Sequence, residues 1–179
     1  EHDDHSHSIR DVLKAGISVY TSKGTQEALG INHYRIKTIE ARKQFRIGSF
    51  TILPFETEHD ANEPLGFLIE SDAGERLLFA TDTYFIRYRF ERLNIIAVEC
   101  NYSEEILRQN ILDGIVPVVT KRRLVQSHFS LENYKEFLRA NDLSHVREIW
   151  LIHMSNRNAD ADLFKREIQQ LTGKPVYIA

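Results

Sequence analysis

Glu1-His2-Asp3-Asp4-His5 puts two imidazoles and several carboxylates at the head of this chain. His2, Asp4 and His5 suit a divalent transition metal, because neutral imidazole nitrogens and carboxylate oxygens are ligands that Zn, Mn and Fe take readily. A merely polar chain end with His2, His5 and His7 would have the same composition, since termini are commonly poorly ordered. What separates the two readings is whether the rest of the chain delivers more groups of this kind to one place.

The residues after this head predict alternating elements. A capping Ser8, apolar Ile9, Val12 and Leu13 and a stop at Gly16 predict a short helix over 8–15. A short strand over 17–20 and a helix over 25–29, ended by Gly30, follow. Polar and apolar residues then alternate over 35–39, 45–47 and 50–55, with Gly48-Ser49 as a turn, which is the strand signature. Residues 66–70 and 76–80 read as a hairpin pair around Asp72-Ala73-Gly74. Beyond Thr83 the pattern becomes strand 95–99, helix 104–112, helix 131–140, strand 149–153, helix 159–171 and strand 176–178. Strands followed by strand and helix alternation imply a sheet packed against helices.

Composition narrows the class. A chain of 179 residues, 42% hydrophobic, with no repeat, low-complexity tract or dividing linker, is expected to form one domain over 1–179. No apolar run approaches the length needed to cross a bilayer. Cys100 is the only cysteine, so no internal disulfide forms and a cytoplasmic location is expected. A formal charge of −3 gives no global attraction to nucleic acid, so such a partner would need local basic patches.

Further candidate ligands sit at the ends of predicted strands. His59, in Glu56-Thr57-Glu58-His59-Asp60, follows the strand that closes near Phe55. Leu77-Leu78-Phe79-Ala80 delivers Asp82 between two threonines; a carboxylate so placed can bridge two cations and offset their repulsion. Ile149-Trp150-Leu151-Ile152 delivers His153. Each has an ordinary structural alternative: a surface His, a turn-capping Asp, a His bonded to backbone. It is their recurrence at strand ends that points to one site.

The head of the chain and these stations resemble the metallo-β-lactamase superfamily, whose motif is His-x-His-x-Asp-His. In that resemblance Glu1 is the first x, His2 the second His, Asp4 the Asp and His5 the last His, and the motif's first His would precede Glu1. The likeness covers essentially the whole chain. It implies a four-layer αβ/βα sandwich of two mixed sheets face to face, read here as lacking its first strands. It also implies two divalent metal ions, Zn or Mn, held by His2, Asp4, His5, His59, Asp82 and His153. With the first His absent, it implies weak metal binding and little activity for these residues alone, the second position being the better held.

Two more segments are similar to the superfamily's nucleases, those like ribonuclease Z and the YycJ/WalJ-type exonucleases. They are Val98-Glu99-Cys100-Asn101-Tyr102 and Ser127-His128-Phe129-Ser130-Leu131-Glu132-Asn133. Ser127 stands where the usual residue is Gly, and the Asn after the helix-start Ser is displaced to Asn133. The expected activity is two-metal hydrolysis of DNA phosphodiesters. Asp4 would orient or deprotonate the attacking water, and His128, linked to Glu99, would protonate the leaving oxygen or stabilise developing charge. Lys121, Arg122 and Arg123 would meet substrate phosphates, and Arg87, Arg89 and Arg92 with Tyr88 and Phe90 form a second basic and aromatic cluster. The alternatives are a hydrolase of a small ester, thioester or lactam, which would need a compact apolar pocket, and a degenerate, non-catalytic member of the fold.

Overall fold

Short glycine turns join neighbouring strands antiparallel, whereas parallel neighbours need a long crossover, and the chain uses both in turn. The computed structural model describes all residues from Glu1 to Ala179. Strands β3 (Phe45–Ile47), β4 (Phe50–Glu56), β5 (Leu65–Ser71) and β6 (Arg76–Ala80) pair antiparallel. From β6 onward, β7 (Ile95–Glu99), β8 (Glu148–Ile152) and β9 (Val176–Ile178) pair parallel. The result is a seven-stranded mixed sheet in sequence order. Helices α4 (Glu104–Leu112), α5 (Val118–Ser127) and α6 (Leu131–Ala140) cross from β7 to β8, and α7 (Ala161–Thr172) crosses from β8 to β9.

Alternation along the parallel strands turns one face inward. Leu78, Ala80, Ile96, Val98, Ile149 and Leu151 are completely buried, in one cluster with Tyr134 and Leu138 of α6 and Phe164 and Ile168 of α7. The opposite face is less covered, with Phe79 37% and Tyr177 42% exposed. The second sheet is small: β1 (Val19–Ser22) and β2 (Ile36–Ile39) pair parallel. It has its own core of Leu13, Ile31 and Ile36 beside α2 (Ile9–Lys14) and α3 (Lys23–Leu29). The two mixed sheets expected are thus one large mixed sheet and one two-stranded parallel sheet. No helix is long and apolar enough to cross a membrane.

Two local expectations need correction, and one helix is additional to those expected. The strand expected over 17–20 is displaced to Val19–Ser22, and Ile17 is exposed; Ser22 then caps α3, its hydroxyl accepting from Thr25 N–H. The head, expected as a ligand loop, forms a one-turn helix α1 (Asp3–Ser6). Helix α5 is additional to the elements expected from sequence, because Val118, Val119 and Val125 face outward and give it no apolar stripe.

Gly66 of β5 faces the Phe55 ring so closely that an added Cβ would sit 2.6 Å from Cε2. Gly66→Ala should therefore destabilise the fold by about 1–3 kcal/mol through overpacking. Urea unfolding measures this, and an unchanged midpoint would show that the hairpin yields freely.

Candidate metal centre

Parallel strands end along one edge of a sheet, and open α/β sheets gather their sites there. Asp82 follows β6, Glu99 is the last residue of β7, and His153 follows β8. Strand β4, antiparallel to β5, runs in the same direction as β6 and sends His59 to this edge as well. Asp82 (φ 49°) and His153 (φ 54°) both adopt left-handed backbone. Asp and His are among the residues that tolerate that region, and such a turn swings the side chain off the strand line into the cleft. Arg42, Glu63 and Arg92 share the conformation, so the backbone alone does not mark the site.

The chain's head is tied to this edge. Asn62 N–H donates to Glu1 Oε1 at 2.7 Å, and Ser6 Oγ donates to the Glu1 carbonyl at 3.0 Å. The single turn of α1 then presents His2, Asp4 and His5 to the strand ends. Two donor groups result, each with its ligand-type atoms within 4.8 Å of one another: His2, His59 and Asp82 in one, Asp4, His5 and His153 in the other. His2 Nδ1 and His59 Nε2 lie 3.2 Å apart. His5 Nε2 is 2.8 Å from Asp82 Oδ2, His59 Nε2 is 3.7 Å from that same oxygen, and His153 Nε2 is 3.5 Å from Asp82 Oδ1. Asp82 thus stands between the groups.

This donor chemistry fits divalent cations. Three protein donors with one place left open is the pattern of catalytic zinc. His59 Nδ1 is 2.9 Å from the Ser127 carbonyl; donating there leaves Nε2 as the lone-pair nitrogen, the way a backbone partner commonly sets a ligand tautomer. Thr57 and Thr81 each bury a hydroxyl without a hydrogen-bond partner. Both line a cavity of about 150 Å³ beside His2, His5, His59 and Asp82, so unsatisfied polar atoms collect where the donors meet.

Glu99 organises the rest. Its carboxylate is completely buried and accepts from His128 Nδ1 at 2.5 Å, His153 Nδ1 at 3.0 Å and Thr83 N–H at 2.9 Å. Burial opposes its ionisation, but the two imidazoles outweigh it and hold the carboxyl below the usual range. The Glu99 hydrogen bond, against opposing burial, lifts His153 to about 9 when no cation competes. For Asp4, burial is again offset, by His5 first, and the carboxyl is lowered. Each ring gives Nδ1 to Glu99, which turns His153 Nε2 toward the donors and leaves His128 Nε2 without a protein partner.

Two further residues support the site without being candidate ligands or catalytic groups. Thr83 holds Glu99 through its backbone N–H, and Asn101 Nδ2 donates to the His153 carbonyl at 2.7 Å. The basic residues divide. Arg123 donates to Asp60 at 2.9 Å and lines the cleft with His2, Asp4, His59, Asp82 and His128. Arg122 lines an adjoining cavity, and Lys121 lines neither. Arg87 pairs with Glu58, Tyr88 hydrogen-bonds Glu56, and Phe90 is buried, so most of the second cluster has a structural role.

A mixed sheet with helices over one face and a His- and Asp-lined edge defines the class, the metallo-β-lactamase fold. Comparison with solved structures gives the same fold. The metallo-β-lactamase-fold protein YhfI from Bacillus subtilis matches with a TM-score of 0.71 and 17% identity, over 99% of this chain and 71% of that one. Igni18, a metallo hydrolase from the hyperthermophilic archaeon Ignicoccus hospitalis, matches with a TM-score of 0.70 and 13% identity, over 99% and 72%. A diphosphatase of the PhnP family matches with a TM-score of 0.53 and 12% identity, over 89% and 54%. No family model and no curated protein sequence matches the chain.

Proposed function

We propose that this chain is a metal-dependent hydrolase of phosphodiesters, with DNA as substrate and an exonuclease of the YycJ/WalJ type as its nearest kind. The observation that carries the reading is the pair of donor groups on either side of Asp82, opening on a cleft that also holds His128 and Arg123. Leu124 is the one apolar side chain lining that cleft. This disfavours a small ester or lactam, which needs an apolar enclosure. The PhnP-family diphosphatase is an instance of phosphoryl chemistry on this fold, although fold alone does not assign function.

His2, His59 and Asp82 would hold one divalent cation, and Asp4, His5 and His153, with Asp82, a second, Zn or Mn. Bound there, the cations supply Lewis acidity at the phosphoryl oxygen and lower the pKa of an attacking water. The chain's own groups do the rest. Asp4 orients the water and accepts its proton as the new P–O bond forms. His128, steadied through Nδ1 by Glu99, gives the proton on Nε2 to the leaving oxygen as the old P–O bond breaks. Arg123 and Arg122 meet the phosphate charge.

Protein supplied with Zn or Mn should hydrolyse bis(4-nitrophenyl) phosphate and 5′-phosphorylated DNA, lose both activities to chelator and regain them on metal return. Turnover of nitrocefin or a thioester without any diester turnover would overturn the proposal.

A further inference from the structure

The cleft continues past His59 and Arg123 into a second cavity of about 440 Å³, within the usual size of ligand pockets. One wall is a single face of α5, with Val119, Arg122, Arg123 and Gln126 at the spacing that puts helix residues side by side. The facing wall is the segment through His59 together with Tyr84, whose N–H donates to the Glu58 carbonyl at 3.1 Å. Charges on these walls largely cancel: Arg123 is paired with Asp60 and Glu58 with Arg87.

Arg122, Gln126 and Tyr84 remain uncommitted. None of their side chains hydrogen-bonds or ion-pairs with the protein, and the Tyr84 ring, 37% exposed, stacks on no other ring. An occupant must therefore offer one negative charge, a planar face and polar edges. The cavity shares His59 and Arg123 with the cleft of the donor groups, and Ser127 with His59 through its carbonyl, so one ligand can reach from here to the metal centre.

We propose that this cavity is the subsite for the nucleotide unit adjoining the scissile phosphodiester. Its base stacks on Tyr84, its phosphate meets Arg122, and Gln126 hydrogen-bonds the base or sugar edge. This rests on the phosphodiesterase reading above and adds what that reading does not contain, a place for the base. An aromatic ring beside a guanidinium is how proteins hold single-stranded bases without reading their sequence, so the subsite selects nucleotides over plain phosphate esters while tolerating every base.

Titration of the full chain with thymidine 5′-monophosphate, thymidine and inorganic phosphate tests this. The nucleotide should bind more tightly than either fragment. Tyr84→Ala should weaken it roughly 5- to 150-fold, the range of base stacking, while Tyr84→Phe restores binding; Arg122→Ala should weaken the nucleotide but not thymidine. Both side chains are exposed, so replacement leaves the core intact. Nucleotide binding no tighter than that of phosphate, or indifferent to Tyr84→Ala, would overturn the proposal. In kinetics, Tyr84→Ala should lower kcat/KM for thymidine 5′-(4-nitrophenyl phosphate) relative to bis(4-nitrophenyl) phosphate, and an equal fall for both would also overturn it. Failure of the chain to hydrolyse either diester, with Tyr84-dependent nucleotide binding retained, would overturn the phosphodiesterase reading and support the subsite.

Discussion

His128→Ala should lower diester turnover by roughly 10²- to 10⁴-fold, the usual weight of a positioned general acid, with metal content near that of the unmodified chain. The two donor groups on either side of Asp82 do not include His128, and its ring is committed through Nδ1 to Glu99 at 2.5 Å. A second reading of the same atoms is available, since Asp82, Glu99, His128 and His153 also lie close enough to hold a cation. The experiment separates them: a proton donor is lost without loss of metal, whereas a ligand takes the metal with it. Parallel loss of metal and turnover would show that the role is misassigned.

Removing His128 also takes one hydrogen bond from a buried carboxylate. Glu99 keeps the His153 and Thr83 bonds, so the fold should survive at a cost of about 1–3 kcal/mol, the penalty for a partly orphaned buried group. His128→Asn, whose amide can still donate to Glu99, should recover part of that stability and none of the turnover. The pair of variants thereby distinguishes a chemical role from a packing one.

What could be read from the sequence follows from where its information is local. The apolar strands ending in Asp82, Glu99 and His153 are continuous in sequence, and parallel pairing alone brings their ends together. The hairpins over β3 to β6 are likewise local. Other parts depend on partners far apart in the chain. The carbonyl of Ser127 facing His59 is a backbone group that any residue would supply. The Arg123 and Asp60 pair spans 63 positions and turns a basic triplet that looked uniform into one engaged and one uncommitted guanidinium. Helix α5, which forms a wall of the second cavity, exposes its valines and so has no apolar periodicity in the sequence. Thr83 holds Glu99 through its backbone N–H and Asn101 holds the His153 carbonyl, and composition carries no mark of either.

Asp82→Asn should have the widest effect of any single change, because the Asp82 carboxylate lies between the two donor groups and approaches imidazoles of both. Its Oδ2 is 2.8 Å from His5 Nε2 and 3.7 Å from His59 Nε2, and its Oδ1 is 3.5 Å from His153 Nε2. Asparagine keeps the shape and tolerates the left-handed backbone at this position, so the fold has no steric reason to change, whereas alanine would add strain. What is lost is a negative charge between two places for cations, the term that offsets their repulsion. Metal should therefore leave both groups and turnover should fall to background, while His2→Ala, which touches only one group, should leave the cation at Asp4, His5 and His153. A readout independent of activity exists. A ligand held by the folded state alone stabilises it by about 2.7 kcal/mol at a hundredfold excess over its dissociation constant, so added metal should raise the melting temperature of the unmodified chain, raise that of His2→Ala less, and leave Asp82→Asn unmoved. Full metal content in Asp82→Asn, or an equal thermal shift in all three proteins, would remove Asp82 from the centre of the site.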